Sequence, residues 1–250
     1  MKLTILGSGV CIPTSDRCQS SYLIQTNNSN ILFDIGSGAL YRLTQANIDY
    51  FSIDVICITH KHCDHMSDFI PFLFATNNHP TVKRTKELKL IGPPGIKKHI
   101  EELFNVYNHW IEPETYSLNI IEAFEGSFEI DKNIIDVFSV KHCDNSNGYC
   151  ITDEFGKVFA YSGDASFGEN LVKYVKNAQV LLLECSFPDK KLEKHLNIND
   201  VSMIIDNAQC KKLILTHIYP GYEDFDFKAS LNDVYSGEVY RAKDLDVYDF

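Results

Sequence analysis

The sequence predicts an α/β fold arranged as a four-layer αββα sandwich. Short runs rich in Val and Ile, each closed by Gly, Asp or His, alternate with amphipathic stretches along the chain. A faint repeat links the two halves, since predicted strands end at Asp34 and Thr59-His60 in the first and at Asp164 and Thr216-His217 in the second. Two β-rich halves that face each other, with helices outside, would produce the four layers. No low-complexity linker divides the 250 residues, so we expect a single domain over 1–250.

The elements follow from periodicity and from turn residues. Strands are predicted at Leu3–Leu6, Tyr22–Gln25, Ile31–Ile35, Val55–Thr59, Leu88–Ile91, Ile134–Val140, Tyr149–Ile151, Val158–Tyr161, Val180–Glu184, Leu213–Thr216 and Leu245–Tyr248. Helices are predicted at Ala39–Ala46, Ser67–Ala75, Ile96–Tyr107, Leu171–Asn177 and Ile198–Ala208. Hairpin turns are predicted at Asn133-Ile134 and at Glu154-Phe155-Gly156.

Composition and charge exclude several classes of protein. Apolar residues make up 44% and charged residues 23% of the chain, which is ordinary for a globular protein and rules out disorder as the main state. The charge sum is 23 basic minus 34 acidic, or −11, which disfavours nucleic acid and anionic membranes as partners. No secretory signal and no run of about 20 apolar residues is present. The eight cysteines form no C-x-x-C pair, so we expect reduced thiols and a cytoplasmic protein, with a homodimer left open.

The strongest chemical signal is an H-x-H-x-D-H cluster directly after the predicted strand Val55–Thr59. It contains His60, His62, Asp64 and His65. On extended chain His60 and His62 point to the same side, and the last two residues follow where the chain turns toward a helix. This geometry suits two cations held side by side. The alternative is a solvated histidine-rich turn, but a turn after an apolar strand rarely needs three imidazoles.

Three more residues at the ends of apolar strands complete the set. His142 follows Ile134–Val140, Asp164 follows Val158–Tyr161, and His217 follows Leu213–Thr216. Because strand ends meet at one edge of a sheet, we expect these side chains to join the cluster. Five His and two Asp make two sites with one bridging carboxylate, which favours two divalent ions, Zn²⁺ first, with Mn²⁺ or Fe as alternatives.

This pattern resembles the metallo-β-lactamase fold superfamily over essentially the whole chain. Within it, the ribonuclease Z-like phosphodiesterases are most similar, through four segments: Leu6-Gly7-Ser8-Gly9 with Pro13-Thr14, Arg17 and Ser20-Ser21; Ile91-Gly92-Pro93-Pro94-Gly95; Glu184-Cys185-Ser186-Phe187; and His195. The resemblance implies that His60, His62 and His142 hold one metal. It implies that Asp64, His65 and His217 hold the other, with Asp164 bridging the two.

The resemblance also assigns His195, which by itself would be interpreted as a surface histidine in a polar stretch. It implies that His195 is the general acid or a donor to the transition state, with Glu184 orienting it. A histidine can protonate a leaving alkoxide near neutral pH. The catalytic residues are therefore expected to be Asp64, His195 and Glu184.

The chain departs from ribonuclease Z in two segments. Those enzymes carry a long basic arm between the lone His and the bridging Asp, whereas here only 22 positions separate His142 from Asp164. The segment after His217 also lacks the arginine usual in the ribonucleases. The sequence thus favours a phosphodiesterase that acts on small cyclic or linear phosphodiesters through a metal-bridging hydroxide. The alternatives are a transfer-RNA 3′-processing endonuclease, a thioester or lactam hydrolase, and a non-enzymatic metal-bound sensor.

Overall fold

A computed structural model describes residues 1–250, apart from the side chain of His109. The strands are β1 Lys2–Gly7, β2 Ser21–Gln25, β3 Asn30–Phe33, β4 Val55–Cys57, β5 Leu88–Gly92, β6 Leu118–Glu122, β7 Gly126–Ile130, β8 Asn133–Val140, β9 Ser146–Thr152, β10 Val158–Tyr161, β11 Val180–Glu184, β12 Lys212–Thr216, β13 Glu238–Arg241 and β14 Val247–Asp249. The helices are α1 Ala39–Gln45, α2 Cys63–Met66, α3 Phe69–Asn78, α4 Ile96–Tyr107, α5 Glu169–Tyr174, α6 Ile198–Ala208 and α7 Phe227–Leu231. Single 3₁₀ turns occupy Tyr50–Ser52 and Asn108–Trp110.

The strands form two seven-stranded mixed sheets. The first has the order β14-β1-β2-β3-β4-β5-β6 and the second the order β13-β12-β11-β10-β9-β8-β7. Each sheet is antiparallel on one side and parallel on the other, with β3 to β6 parallel in the first and β10 to β13 parallel in the second. The carboxyl ends of these parallel strands therefore lie at one edge of each sheet, where side chains can converge.

Apolar side chains fill the space between the sheets and cover their outer faces. Phe33 of the first sheet packs against Tyr149, Phe159 and Tyr161 of the second, with ring centroids 5.6, 5.6 and 6.0 Å apart. Helices α1, α3 and α4 cover the first sheet, and α5, α6 and α7 cover the second. Truncating a ring such as that of Phe33 to alanine would cost about 3–5 kcal/mol. The predicted αββα sandwich is confirmed.

The structure corrects several predicted elements. The strands β6, β7 and β13 and the helix α7 were not predicted, and the last strand pairs with β1 in the first sheet. The β7–β8 turn lies at Asp131-Lys132, which both have positive φ, so the predicted turn at Asn133-Ile134 is wrong. Instead Asn133 begins β8, and its buried amide donates to the Ile130 carbonyl.

The predicted helix Ser67–Ala75 corresponds to α3, which begins at Phe69, and a separate short helix, α2, precedes it. The chain bends at Asp68, whose backbone N–H donates to the Ile35 carbonyl while its carboxylate accepts from the N–H groups of Gly38 and Leu40. Asp64 and His65 therefore lie on the short helix α2 and not in an open turn. Among the residues described, no helix is both long enough and apolar enough to cross a membrane.

Candidate metal centre

The predicted site residues lie together at the carboxyl ends of the strands. His60 and His62 follow β4, Asp64 and His65 lie on α2, His142 follows β8, Asp164 follows β10 and His217 follows β12. Both sheets thus contribute, since β4 belongs to the first and β8, β10 and β12 to the second. Their ligand atoms fall into overlapping groups of three within 4.8 Å of one another.

One group consists of His60, His62 and His142, which we call the first triad. The Nε2 of His60 lies 2.8 Å from the Nδ1 of His62, and the Nε2 of His142 lies 3.4 Å from that same atom. Three ring nitrogens pointing at one spot need a cation or a shared proton between them. The other ring nitrogen of His142 donates to the Lys194 carbonyl at 2.9 Å, which fixes the orientation of its ring.

A second group consists of Asp64, His65 and His217, which we call the second triad. The Oδ2 of Asp64 lies 3.5 Å from the Nε2 of His217 and 3.9 Å from the Nε2 of His65. All three residues are buried. His217 has a φ of 54°, a left-handed conformation that is uncommon for a residue with a side chain. Such local strain concentrates at functional sites.

Asp164 lies between the two triads. Its Oδ1 is 3.4 Å from the Nε2 of His65 and 3.3 Å from the Nε2 of His217, whereas its Oδ2 is 3.6 Å from the Nε2 of His142. Gly163 allows this position, because it has a φ of 61° and a Cβ there would lie 2.8 Å from Thr59. The carboxylate therefore presents one oxygen to each triad.

The polar atoms facing this space lack partners. The Nε2 of His65, the Nε2 of His217 and the Oδ1 of Asp164 are buried with no hydrogen bond within the described part of the chain. A buried polar group without a partner costs roughly 1–3 kcal/mol. Imidazole and carboxylate donors are the ligands that Zn²⁺ and related divalent ions take. The residues therefore fit a divalent metal, which would satisfy all three atoms.

The pKa values show how strongly charge is organised here. Burial lowers the pKa of His60, and the neighbouring His65 lowers it further. Burial also opposes a charge on His65, but Asp164 and Asp34 outweigh it and raise the pKa of His65 well above its ordinary value. Conversely, His217 and His65 outweigh the burial of Asp164 and hold its pKa well below its ordinary value. The carboxylates around His65 thus favour positive charge in this space.

Behind the first sheet's histidines lies a buried carboxylate, Asp34. It follows β3 with a φ of 53° and accepts the His65 ring N–H at 2.8 Å. Its oxygens also accept the backbone N–H of Thr59 at 2.8 Å, the Thr59 hydroxyl, and the Tyr161 hydroxyl at 2.9 Å. The Thr59 hydroxyl lies 3.0 Å from the Nδ1 of His60. We name Asp34 with Thr59 the first support.

A matching arrangement lies behind the second sheet. The carboxylate of Glu184, at the end of β11, accepts the Nδ1–H of His195 at 2.9 Å and the Ser186 hydroxyl at 2.7 Å. The Ser186 hydroxyl also lies 3.0 Å from the Nδ1 of His217. The backbone N–H groups of Ala165 and Ser186 also donate hydrogen bonds to this carboxylate. We name Glu184 with Ser186 the second support.

His195 is more accessible to solvent than His65, although both donate to a buried carboxylate. Its side chain is 16% exposed, whereas that of His65 is fully buried. Burial alone would lower the pKa of His195, but the hydrogen bond and negative charge of Glu184 outweigh it and raise the pKa above its ordinary value. The ring lies 4.9 Å from that of His142, centroid to centroid. The structure thus places a histidine with a stabilised protonated form at the open side of the cluster.

Sequence reasoning assigned no role to the hydroxyls of Thr59 and Ser186. Thr59 adjoins the first histidine of the cluster, and Ser186 lies in the Glu184–Phe187 segment, but a lone hydroxyl has no spacing pattern to identify it. The structural position of Asp34 also required the fold, because its partners are distant in sequence.

Two mixed sheets packed face to face, helices on their outer faces and His/Asp clusters at the strand ends define a protein of the metallo-β-lactamase fold. A sequence profile described as "Anti-Pycsar protein Apyc1" matches residues 1–237. The chain belongs to that family, within the ribonuclease Z-like branch of the fold.

Known proteins of this branch are similar over most of their length. A ribonuclease Z of Clostridium beijerinckii is 34% identical over 275 residues, covering 86% of this chain and 87% of that protein. The metallo-β-lactamase fold protein YhfI from Bacillus subtilis superposes with a TM-score of 0.85 at 23% identity, covering 99% and 98% of the two chains. A diphosphatase from the PhnP family superposes with a TM-score of 0.74 at 19% identity, covering 100% and 97%. The fold therefore extends over the whole chain.

Proposed function

We propose that this protein is a dinuclear metal-dependent phosphodiesterase acting on small cyclic or linear phosphodiesters. The observation that carries the proposal is the position of Asp164, with one oxygen facing the His65–His217 side and the other facing His142. Such a carboxylate suits two ions a few ångströms apart. The first triad would hold one ion, the second triad would hold the other, and Asp164 would bridge them.

Two divalent ions in these positions would activate a water molecule as the nucleophile and stabilise negative charge on the phosphoryl oxygens. Asp64 contributes one carboxylate oxygen toward His217 and His65, and its side chain is 10% exposed. Its remaining oxygen can accept a hydrogen bond from the attacking water. Asp64 therefore positions the nucleophile as well as holding an ion.

His195 supplies the proton that the leaving oxygen needs. Glu184 accepts its Nδ1–H, which leaves the Nε2 free to carry a proton toward a substrate. Because Glu184 raises the pKa of His195, the imidazolium persists to higher pH than that of an ordinary histidine. In this arrangement the P–O bond to the leaving group breaks as the Nε2 proton passes to the departing alkoxide.

Substrate size follows from the segment between His142 and Asp164. It consists of β9 and β10, an antiparallel hairpin within the second sheet, with its turn at 153–157. No projecting arm exists in this described segment, and the chain as a whole carries a net charge of −11. Affinity for a folded RNA comes largely from Lys and Arg contacts to phosphates. A small phosphodiester needs only the site itself.

A second candidate function is ribonuclease Z-type processing of transfer RNA. The 34% identity to a ribonuclease Z of Clostridium beijerinckii supports it. The same metal arrangement and the same His195–Glu184 pair would perform that cleavage, so the two functions differ only in what binds beside the site.

The experiment that separates them is a substrate panel with metal content measured in parallel. Bis(p-nitrophenyl) phosphate, a cyclic nucleotide and a precursor transfer RNA are offered to the Zn²⁺- and Mn²⁺-loaded protein, and kcat/KM is measured for each. Asp164→Asn serves as the matched control for contaminating nucleases, because it keeps the side-chain volume and removes the charge. We expect the small diesters to be cleaved at least as efficiently as the RNA.

Accurate cleavage at the 3′ end of the precursor at nanomolar enzyme, with weak turnover of the small diesters, would establish the ribonuclease instead. Absence of hydrolysis across the panel, with both metals bound, would favour the non-enzymatic sensor or a hydrolase of thioesters or lactams.

A further inference from the structure

The two supports have the same arrangement of hydrogen bonds. In each, a buried carboxylate binds one histidine directly and a second histidine through a neighbouring hydroxyl. Asp34 holds His65 directly at 2.8 Å, and the Thr59 hydroxyl lies between Asp34 and His60. In the second support Glu184 holds His195 directly at 2.9 Å, and the Ser186 hydroxyl lies between Glu184 and His217.

The direction of each hydrogen bond around Ser186 follows from its single proton. A hydroxyl donates once, and the shortest contact is the one to the Glu184 Oε2 at 2.7 Å. The carboxylate can only accept, so the proton lies on that bond. The oxygen of Ser186 then accepts the Nδ1–H of His217 at 3.0 Å, and it also lies 3.1 Å from the Nδ1 of His195.

This arrangement determines which nitrogen of His217 is available to a metal. With the proton on Nδ1, the Nε2 carries a free lone pair, and that nitrogen is the buried unpartnered atom beside Asp64 and Asp164. A metal-ligating histidine characteristically donates its other N–H to an outer partner, which fixes its tautomer and ring orientation. The left-handed backbone at His217 makes an external brace on the ring more important, because the chain itself does not favour this conformation.

We propose that Ser186 is a positioning residue that fixes His217 toward the second triad and connects it to the Glu184–His195 pair. One buried carboxylate thereby orients both a metal ligand and the group that protonates the leaving oxygen. The inference rests on the proposed dinuclear site, but it concerns one ion of the two. Removing the Ser186 hydroxyl should therefore weaken the binding of one ion and not the other. In the first triad, His60 and His142 are held by the Thr59 hydroxyl and the Lys194 carbonyl, which the change leaves in place.

The test measures stepwise Zn²⁺ affinity by competition with a chromophoric chelator, on the full chain. Ser186→Ala should weaken one of the two binding steps by about 10–100-fold and leave the other within twofold of wild type. Ser186→Thr keeps a hydroxyl at the same position and should restore the weakened step. Ser20→Ala is the matched control, because Ser20 is also fully buried but its hydroxyl contacts the Gly9 carbonyl and no histidine.

Thermal melts and circular dichroism of the metal-free variants confirm that each has folded. If Ser186→Ala binds Zn²⁺ as tightly as the wild type at both steps, the inference is overturned while the proposed function stays intact. An equal loss at both steps, or no recovery in a folded Ser186→Thr, would reduce Ser186 to a packing role and also overturn it. A wild-type chain that binds no second ion would overturn both this inference and the dinuclear proposal.

Discussion

The first and second supports differ in what their directly bound histidine does. In the first, His65 is sealed from solvent and faces Asp164 and Asp64. In the second, His195 is 16% exposed and stands at the open side of the cluster. Under our proposals, the first support orients metal ligands alone, whereas the second orients one metal ligand, His217, together with the proton donor His195. The two directly bound histidines make the same kind of hydrogen bond to a buried carboxylate, so what distinguishes them is their access to solvent.

The largest expected effect is at Asp164, the residue that faces both triads. Asp164→Asn removes the charge that faces both triads while keeping the shape of the side chain. Loss of several kcal/mol of transition-state stabilisation corresponds to a fall in kcat/KM of about 10³-fold or more. Steady-state hydrolysis of bis(p-nitrophenyl) phosphate measures it. Near-wild-type turnover in this variant would exclude Asp164 as a bridging group.

The next effect tests whether the second support serves proton donation. His195→Ala should keep both metals and lose roughly 10²–10⁴ in rate with an alkyl leaving group. A p-nitrophenolate is already a stable anion, so its ester should lose much less. The quantity measured is the loss with the alkyl ester divided by the loss with the nitrophenyl ester. A quotient near one would show that His195 does not protonate the leaving group. Loss of metal from the variant would instead show that His195 is a metal ligand.

A smaller effect, on metal affinity, tests the first support. The carboxylate of Asp34 accepts from the Thr59 backbone and hydroxyl, His65 and Tyr161, whereas an amide has one accepting oxygen and would turn its NH₂ toward donors. Asp34→Asn should weaken metal binding by about 10–100-fold. Equilibrium dialysis against Zn²⁺ measures it. If Asp34→Asn binds Zn²⁺ as tightly as the wild type but loses more rate with a poor leaving group, the first support serves proton donation and not metal binding, contrary to our assignment.

The smallest effect is a displacement of the pH profile. His195 must be protonated to act, and its raised pKa keeps it so to higher pH. Activity on an alkyl ester should therefore fall as pH rises through that pKa. Glu184→Gln removes the charge that stabilises the imidazolium, so the pKa falls and the alkaline limb moves to lower pH. A limb that stays in place would show that another group sets it.

Sequence patterns predicted the site better than they predicted the edges of the sheets. The seven ligand candidates were identifiable because five of them follow buried apolar strands and the other two lie in the same short motif, and strand ends converge regardless of the details of packing. In contrast, β6, β7 and β13 are short and half-exposed, so alternation is too weak there to mark a strand. The turn was predicted at Asn133 because asparagine is common in turns. In the structure Asn133 lies in a strand, and its side chain donates a hydrogen bond to the Ile130 carbonyl.

The supports could be predicted only in part. Asp34 and Glu184 end strands and carry charge, so a structural role for them could be inferred from position. The roles of Thr59 and Ser186 depend on distances of about 3 Å to rings on other elements, which no local pattern encodes. The exposure that separates His195 from His65 is likewise a property of the assembled sandwich.

The most direct test of the account is the metal content of the purified chain. Elemental analysis after loading with Zn²⁺ and removal of free ions should find close to two transition-metal ions per chain, because the first and second triads each present three ligand atoms and Asp164 faces both. Asp164→Asn, measured beside it, should retain fewer. A chain that holds no stoichiometric metal and binds none when metal is supplied would contradict the dinuclear site, and with it the proposed phosphodiesterase.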